Sequence, residues 1–199
     1  MVLDLRTLHA QREEHAALQR MTESRTTVRR GRVVSLHYTL RTDGGAIVDA
    51  ACGSPPFAYL HGAGNIVPGL EQSLDGRVVG DRVHAVVPPE LGYGRINRGF
   101  IRKVARTEFP TGARLERGMR FRSLVGDRTV LPAWIVDVGP REVTVSFNHP
   151  LAGETLHFAV AILHVRTASA EELSHGHPHG YGGVQHDRPW LRARQHHGA

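Results

Sequence analysis

Asn65-Ile66-Val67-Pro68-Gly69-Leu70-Glu71, then Val78-Val79-Gly80-Asp81-Arg82, then Pro88-Pro89-Glu90-Leu91-Gly92-Tyr93-Gly94 is the stretch whose reading decides the fold. Ile66, Val67, Leu70 and Leu74 recur at spacings that place them on one side of a short helix. Val83, Ala85 and Val87 alternate with more polar neighbours, the period of a half-buried strand. A strand that follows such a helix and ends in a glycine-flanked tyrosine describes a small apolar cup with one phenol at its rim.

Working back from Asn65, Val34, Leu36, Tyr38 and Leu40 alternate with Ser35, His37 and Thr39, which predicts a strand. Thr42-Asp43-Gly44-Gly45 reads as a hairpin turn, Ala46 to Asp49 as its return, Ala50 to Pro56 as a loop, and Phe57 to Leu60 as a short strand. Residues 1–30 stand apart: a patchy helix to Gln19 and a polar, basic run to Arg30 are expected to fray rather than dock. Met21 is an alternative start.

Working forward, Phe100, Ile101 and Val104 can form one face of a short helix. Met119 to Val125, Val130 to Val138 and Glu142 to Phe147 read as three strands, separated by turns at Gly126-Asp127 and Gly139-Pro140. Thr155 to Val165 alternates again, with Leu156, Phe158, Val160 and Ile162 on one face, and can rejoin the first sheet. Interruption followed by return is the sequence pattern of an inserted domain. From Glu171 onward no hydrophobic period survives among the histidines, and disorder is expected.

Composition narrows the function classes. No apolar run approaches the roughly 20 residues of a membrane span, and acidic and basic side chains in the first twenty residues leave no signal-peptide core. The single cysteine, Cys52, rules out an internal disulfide and fits a cytoplasmic setting. The net charge of +6 is almost wholly arginine, scattered among acids rather than clustered, so no specific nucleic-acid partner is expected.

Tyr59-Leu60-His61-Gly62, Ile66-Val67-Pro68-Gly69-Leu70-Glu71, Gly92-Tyr93-Gly94, Asn148-His149-Pro150-Leu151-Ala152-Gly153 and Glu171-Glu172-Leu173-Ser174-His175-Gly176-His177 occur in this order. Together they closely resemble the SlyD-type branch of the FKBP peptidyl-prolyl cis-trans isomerases, over about residues 32–180. The resemblance implies an α+β fold, an FKBP-like curved antiparallel sheet around a short helix. Residues 31–94 and 153–168 would form the isomerase domain and 95–152 an insert-in-flap chaperone domain. Residues 1–30 would be an N-terminal extension and 169–199 a flexible histidine-containing tail.

By position, the family's catalytic residues map onto Tyr93, Asp49 and Tyr38, and its proline pocket onto Phe57, Ile66, Val67, Leu70 and Phe158. Leu70 stands where many relatives have tryptophan, and Asp49-Ala50-Ala51-Cys52 departs from their Asp-Glu-Ser run. Such a pocket needs no cofactor. Its partners would be unfolded or proline-containing chains, met by a monomer. His175, His177 and His179 resemble the start of the family's nickel-binding tail, and imidazole is a good nickel ligand. A metal or client carrier with an incidental isomerase pocket is the alternative reading.

Overall fold

The computed structural model describes residues 27–125 and 129–180. The chain divides into two compact units, 1–92 with 155–199, and 93–154. The first contains a five-stranded antiparallel sheet built on β1 (Arg32–Thr42). Along one edge of β1 runs β9 (Leu156–Thr167), which β4 (Arg82–Val87) joins on its far side. The other edge is shared: β3 (Phe57–Leu60) pairs with the first half of β1 and β2 (Ile47–Ala51) with the second.

The predicted alternation of β1 holds, with Val34, Leu36, Tyr38 and Leu40 buried. On the opposite face Val33 packs with Ala58, Leu60 and Ala168, so the start of β1 is covered on both sides. In β9 the period breaks at a bulge, where Ser35 faces His164 but Leu36 faces Ile162. Leu163 is the extra residue and stays exposed, and the shift brings Val165 inward along with Phe158, Val160 and Ile162.

Helix α1 (Pro68–Leu74) lies against this sheet and buries Leu70 and Leu74. Its approach to β4 depends on Gly69, where a Cβ would stand 2.6 Å from Val87 Cγ1 and 3.1 Å from Leu91 Cβ. No described helix is long and apolar enough to cross a membrane.

Two expectations at the ends of this unit are corrected. Residues 27–30 do not fray: Thr27 bridges Val78, and Val28 is fully buried, bonded to Arg77 O and Gly76 N–H. A single valine among polar residues shows no period, yet it fills the space beside the turn after α1. Residues 1–26 lie outside the described residues.

Nor is the chain from Glu171 structureless. Helix α2 (Ala170–His175) starts with a capping box, Ser169 accepting from Glu172 N–H while the Glu172 carboxylate accepts from Ser169 N–H. It ends at Gly176, whose φ of +72° is a left-handed C-cap, and Asn65 Nδ2–H donates to Gly176 O. Residues 181–199 lie outside the description.

The second unit is a four-stranded antiparallel sheet of order β5-β8-β7-β6, from β5 (Ile101–Ala105), β6 (Arg120–Val125), β7 (Thr129–Val138) and β8 (Glu142–Ser146). One face carries its core, Ile135, Val143 and Val145 with Val104, Phe109 and Phe121 packed around them. The expected helix over Phe100 to Val104 is a 3-10 turn at Arg98–Phe100 leading into β5. β5 is an edge strand with little burial, so its sequence carries no period of two, and cross-strand pairing with β8 defines it. The Gly126-Asp127 turn lies outside the described residues; Gly139 closes the other by donating to Glu142 O.

Candidate functional site

The first unit gathers most of the predicted site residues on one side of its sheet. Phe57 stands opposite Leu36, and Phe158 opposite Leu40 and Ala85. This register brings both rings to Tyr38. The Tyr38 and Phe57 centroids are 5.6 Å apart, edge to face, and Tyr38 and Phe158 are 6.4 Å apart and tilted. Both separations are in the range where aromatic pairs attract.

Asp49 pairs with Leu40 on β2 and reaches Tyr38 diagonally. The Tyr38 hydroxyl donates to Asp49 Oδ2 at 2.5 Å, and Ala50 N–H donates to Oδ1 at 2.8 Å. With one oxygen on the phenol and the other on the backbone, Asp49 locks the orientation of the Tyr38 ring. Ile66, Val67 and Leu70 enter from the segment that starts α1 and are buried, as are Tyr38 and Phe158; Phe57 and Asp49 remain half-exposed. The arrangement is an apolar floor that reaches solvent beside Phe57 and Asp49.

The Ala50-Ala51-Cys52 departure has a definite structure. β2 continues through Ala51, and the Cys52 thiol donates to Tyr38 O at 3.4 Å. His37 Nε2 bonds Gly53 O at 3.1 Å, so two contacts hold this loop to β1.

One polar chain, buried at Tyr59 and His61 and reaching solvent at Asp75, escaped the sequence reading. Tyr59 OH and His61 Nδ1 are 2.9 Å apart, and His61 Nε2 lies 3.2 Å from Asp75 Oδ1. Burial, with the carboxylates of Glu71 and Asp75 adding, pushes the Tyr59 phenol well up, so it keeps its proton and donates to His61. With Nδ1 accepting, the imidazole N–H is on Nε2, facing Asp75. Tyr59 also stacks on Phe57 at 6.5 Å, which ties this network to the aromatic cluster. The Tyr59-Leu60-His61 spacing across the end of β3 was the available signal, since residues two apart in extended chain share a face.

Tyr93, expected at the rim of the apolar cup, is the first residue of the second unit and is buried. Its ring stacks on His149 with centroids 3.8 Å apart and planes within 10°. The structure gives the Asn-His-Pro motif a local purpose. Asn148 accepts from Asn97 N–H through Oδ1 and donates to Asn97 O through Nδ2, both at 2.9 Å, as a backbone strand would. His149 Nδ1 accepts from Leu151 N–H at 3.1 Å, fixing the ring that Tyr93 rests on.

His175, His177 and His179 come together after α2, with one ring nitrogen from each within 4.8 Å of the others. His175 Nδ1 and His179 Nε2 are 2.9 Å apart. Their platform is held by Glu172, which accepts from Arg166 Nη1 and Nη2 at 2.7 and 2.6 Å and from His179 N–H at 2.7 Å. The Arg166 guanidinium holds the Glu172 carboxyl down at about 2, with backbone N–H groups of Ser169 and His179 adding to it against the opposing effect of burial. Three neutral imidazoles at this separation fit a borderline divalent cation.

Comparison with known proteins gives the family. The family model of FKBP-type peptidyl-prolyl cis-trans isomerases matches residues 24–116. The chain is 41% identical over 150 residues to the FKBP-type peptidyl-prolyl cis-trans isomerase SlyD of Haemophilus influenzae, covering 74% of this chain and 77% of that protein. It is 41% identical over 155 residues to SlyD of Aeromonas hydrophila, covering 78% and 72%. To SlyD of Escherichia coli K12 it is 40% identical over 148 residues, covering 74% and 75%.

Proposed function

The chain belongs to the FKBP-type peptidyl-prolyl cis-trans isomerases, and we propose that its proline site is the cluster of Tyr38, Phe57, Ile66, Val67, Leu70 and Phe158, oriented by Asp49. The enzyme accelerates rotation about X-Pro bonds in polypeptides, a change that breaks no bond and needs no cofactor. The uncatalysed barrier is about 18–20 kcal/mol because the amide gives up resonance as it twists. Catalysis therefore means binding the twisted amide better than either planar form.

Apolar walls suit that task. A twisted amide is less charge-separated than a planar one, so exchanging water for aromatic and aliphatic carbon favours the transition state. Phe57 and Phe158 flank Tyr38, and the pyrrolidine ring would lie against them. Asp49 acts through Tyr38: its two bonds hold the phenol in one rotamer, so the wall does not rearrange when substrate enters. The single observation that carries this assignment is that hydrogen bond, set among the rings that the family's pocket positions select. Tyr93 is proposed as a further catalytic group on the resemblance alone, its hydroxyl holding the substrate carbonyl.

The second unit is read as a polypeptide-binding chaperone domain, which raises the local concentration of prolyl bonds in unfolded clients. The protein is taken as a cytoplasmic monomer, which the single cysteine and light scattering respectively support and test. The deciding experiment compares two substrates. Replacing residues 95–152 by a short linker should cut catalysis of a proline-limited refolding reaction far more than isomerisation of a prolyl tetrapeptide. Equal losses would remove the separate client site. In the same pair of assays Asp49→Asn should slow both substrates alike, and unchanged rates would remove the pocket assignment.

A second reading rests on the histidine cluster. His175, His177 and His179 would bind nickel as a preformed tripod on the Glu172 platform. This function coexists with isomerisation and is tested by nickel calorimetry on a variant that lacks the three histidines.

A further inference from the structure

The positive charge of this protein is concentrated in its second unit. Between residues 93 and 154 there are eleven basic and six acidic side chains, whereas the rest of the chain has fourteen against thirteen. Within that unit a cavity of about 810 Å³ opens in the segment between β5 and β6, and the turn between β7 and β8 closes one side. Its apolar walls are Phe109, Pro110, Leu115 and Pro140, and its charged groups are Arg106 and Arg141. No carboxylate is among the lining residues. Phe109 and Leu115 also pack on the core of the unit, so the apolar wall is backed by fixed structure.

The two arginines are brought together by the backbone, where Arg106 N–H donates to Arg141 O at 2.9 Å. Arg106 Nη1 has a long contact with Gly139 O, 3.5 Å. Neither guanidinium is in an ion pair among the described residues, although acids stand nearby: Glu142 is taken up by Lys103 at 3.5 Å. Two guanidinium groups lining an apolar recess that has no carboxylate leave its charge uncompensated, and a bound carboxylate would neutralise part of it. Guanidinium groups suit this use because they stay charged and bind carboxylates through paired donors.

We infer that this cavity selects extended polypeptide segments in which an aspartate or glutamate stands beside apolar residues. The inference rests on the reading of the second unit as a polypeptide-binding domain and gives that site its client chemistry. Aliphatic, proline and phenylalanine walls fit peptide side chains, and the recess is compact, unlike the extended basic track that follows a nucleic-acid backbone.

The test measures fluorescence anisotropy of labelled unstructured peptides with the intact protein. The peptides share one apolar centre and differ only in flanking residues: glutamate, glutamine or lysine. The glutamate peptide should bind about tenfold tighter than the glutamine peptide, with the preference falling as salt rises. Arg106→Gln with Arg141→Gln should erase that preference while leaving the glutamine peptide and tetrapeptide isomerisation unchanged. A control pair, Arg117→Gln with Arg122→Gln, removes equal charge elsewhere in the unit and should preserve it.

Equal binding of glutamate and glutamine peptides by the unaltered protein overturns the selectivity while leaving client binding in place. Loss of the preference in the control pair overturns the site. Binding of none of the peptides refutes the polypeptide-binding reading itself, and the inference with it. A single-stranded oligonucleotide that displaces the glutamate peptide more effectively than unlabelled peptide overturns the choice of occupant.

Discussion

Glu172→Gln isolates the charge that docks the C-terminal helix. In the native protein the carboxylate is 3% exposed and takes two bonds from Arg166, which is itself 40% exposed. Bringing a carboxyl from an ordinary 4.5 to about 2 corresponds to about 3 kcal/mol of folding free energy. Water around the half-open guanidinium screens part of this, so about 2 kcal/mol is expected at pH 7. Glutamine keeps the shape, but its NH2 replaces one oxygen, so it can accept from only one of the Ser169 and His179 N–H groups, and the change removes one such bond along with the charge.

The sign follows from the direction of the shift. A carboxyl held low in the folded state binds its proton more weakly there than in the unfolded chain. Its stabilisation is therefore complete above about pH 4.5 and is lost as pH falls towards 2. Urea unfolding by circular dichroism should show the variant less stable at pH 7, by roughly 5 °C in a parallel thermal scan. The gap should narrow below pH 4.5 and close near pH 2. A gap that stays constant from pH 7 to pH 3, or none at pH 7, would refute the assignment of this stability to the charged pair.

Other consequences are more local. Gly69→Ala should destabilise the first unit by about 1–3 kcal/mol, seen in the urea midpoint, because the new methyl meets Val87. Tyr38→Phe leaves Asp49 without its phenol partner; about 1–2 kcal/mol of stability and several-fold of tetrapeptide activity should go together. Tyr93→Phe should lower tetrapeptide isomerisation while urea stability is retained, and unchanged activity would remove its hydroxyl from the mechanism. Replacing His175, His177 and His179 by alanine should abolish the tightest nickel-binding event in calorimetry without altering tetrapeptide turnover. Undiminished affinity would put the metal on other residues.

The elements legible in the sequence were those whose burial is one-sided and regular. β4 and β1 beyond its first residues show period two because each buries one face there, and α1 shows its face through Leu70 and Leu74. β5 was mistaken for a helix because an edge strand with exposed Arg102 and Lys103 carries no such contrast. Val28 and Glu172 were missed for a different reason. Each is a lone buried residue in polar surroundings, made interior by distant partners: Arg77 and Gly76 for one, Arg166 for the other. The Ser169-Ala170-Glu171-Glu172 spacing did carry a capping signal, and the histidines around it obscured it. In the candidate site, Tyr38 and Asp49 were both selected by the resemblance, whereas the Tyr59–His61–Asp75 chain depends on the end of α1 delivering Asp75 to the residue that follows β3. Such a meeting has no local sequence trace.

The neck of the second unit also bears on the order in which the protein folds. Strands β4 and β9 are neighbours in one sheet, yet the connection between them runs from 88 to 155. Gly153 N–H donates to Gly94 O at 2.8 Å, and Asn148 grips the backbone of Asn97 just inside that point. A second unit that has already folded therefore holds its two ends together. The search that β4 and β9 must make then spans about ten free residues instead of nearly seventy, which lowers the entropy of closure by about 2 kcal/mol. Long-range pairing slows folding when the loop has to be closed by chance. An inserted unit that folds first closes it in advance, so a domain that interrupts its host in sequence would then act as a template for the host's last strand.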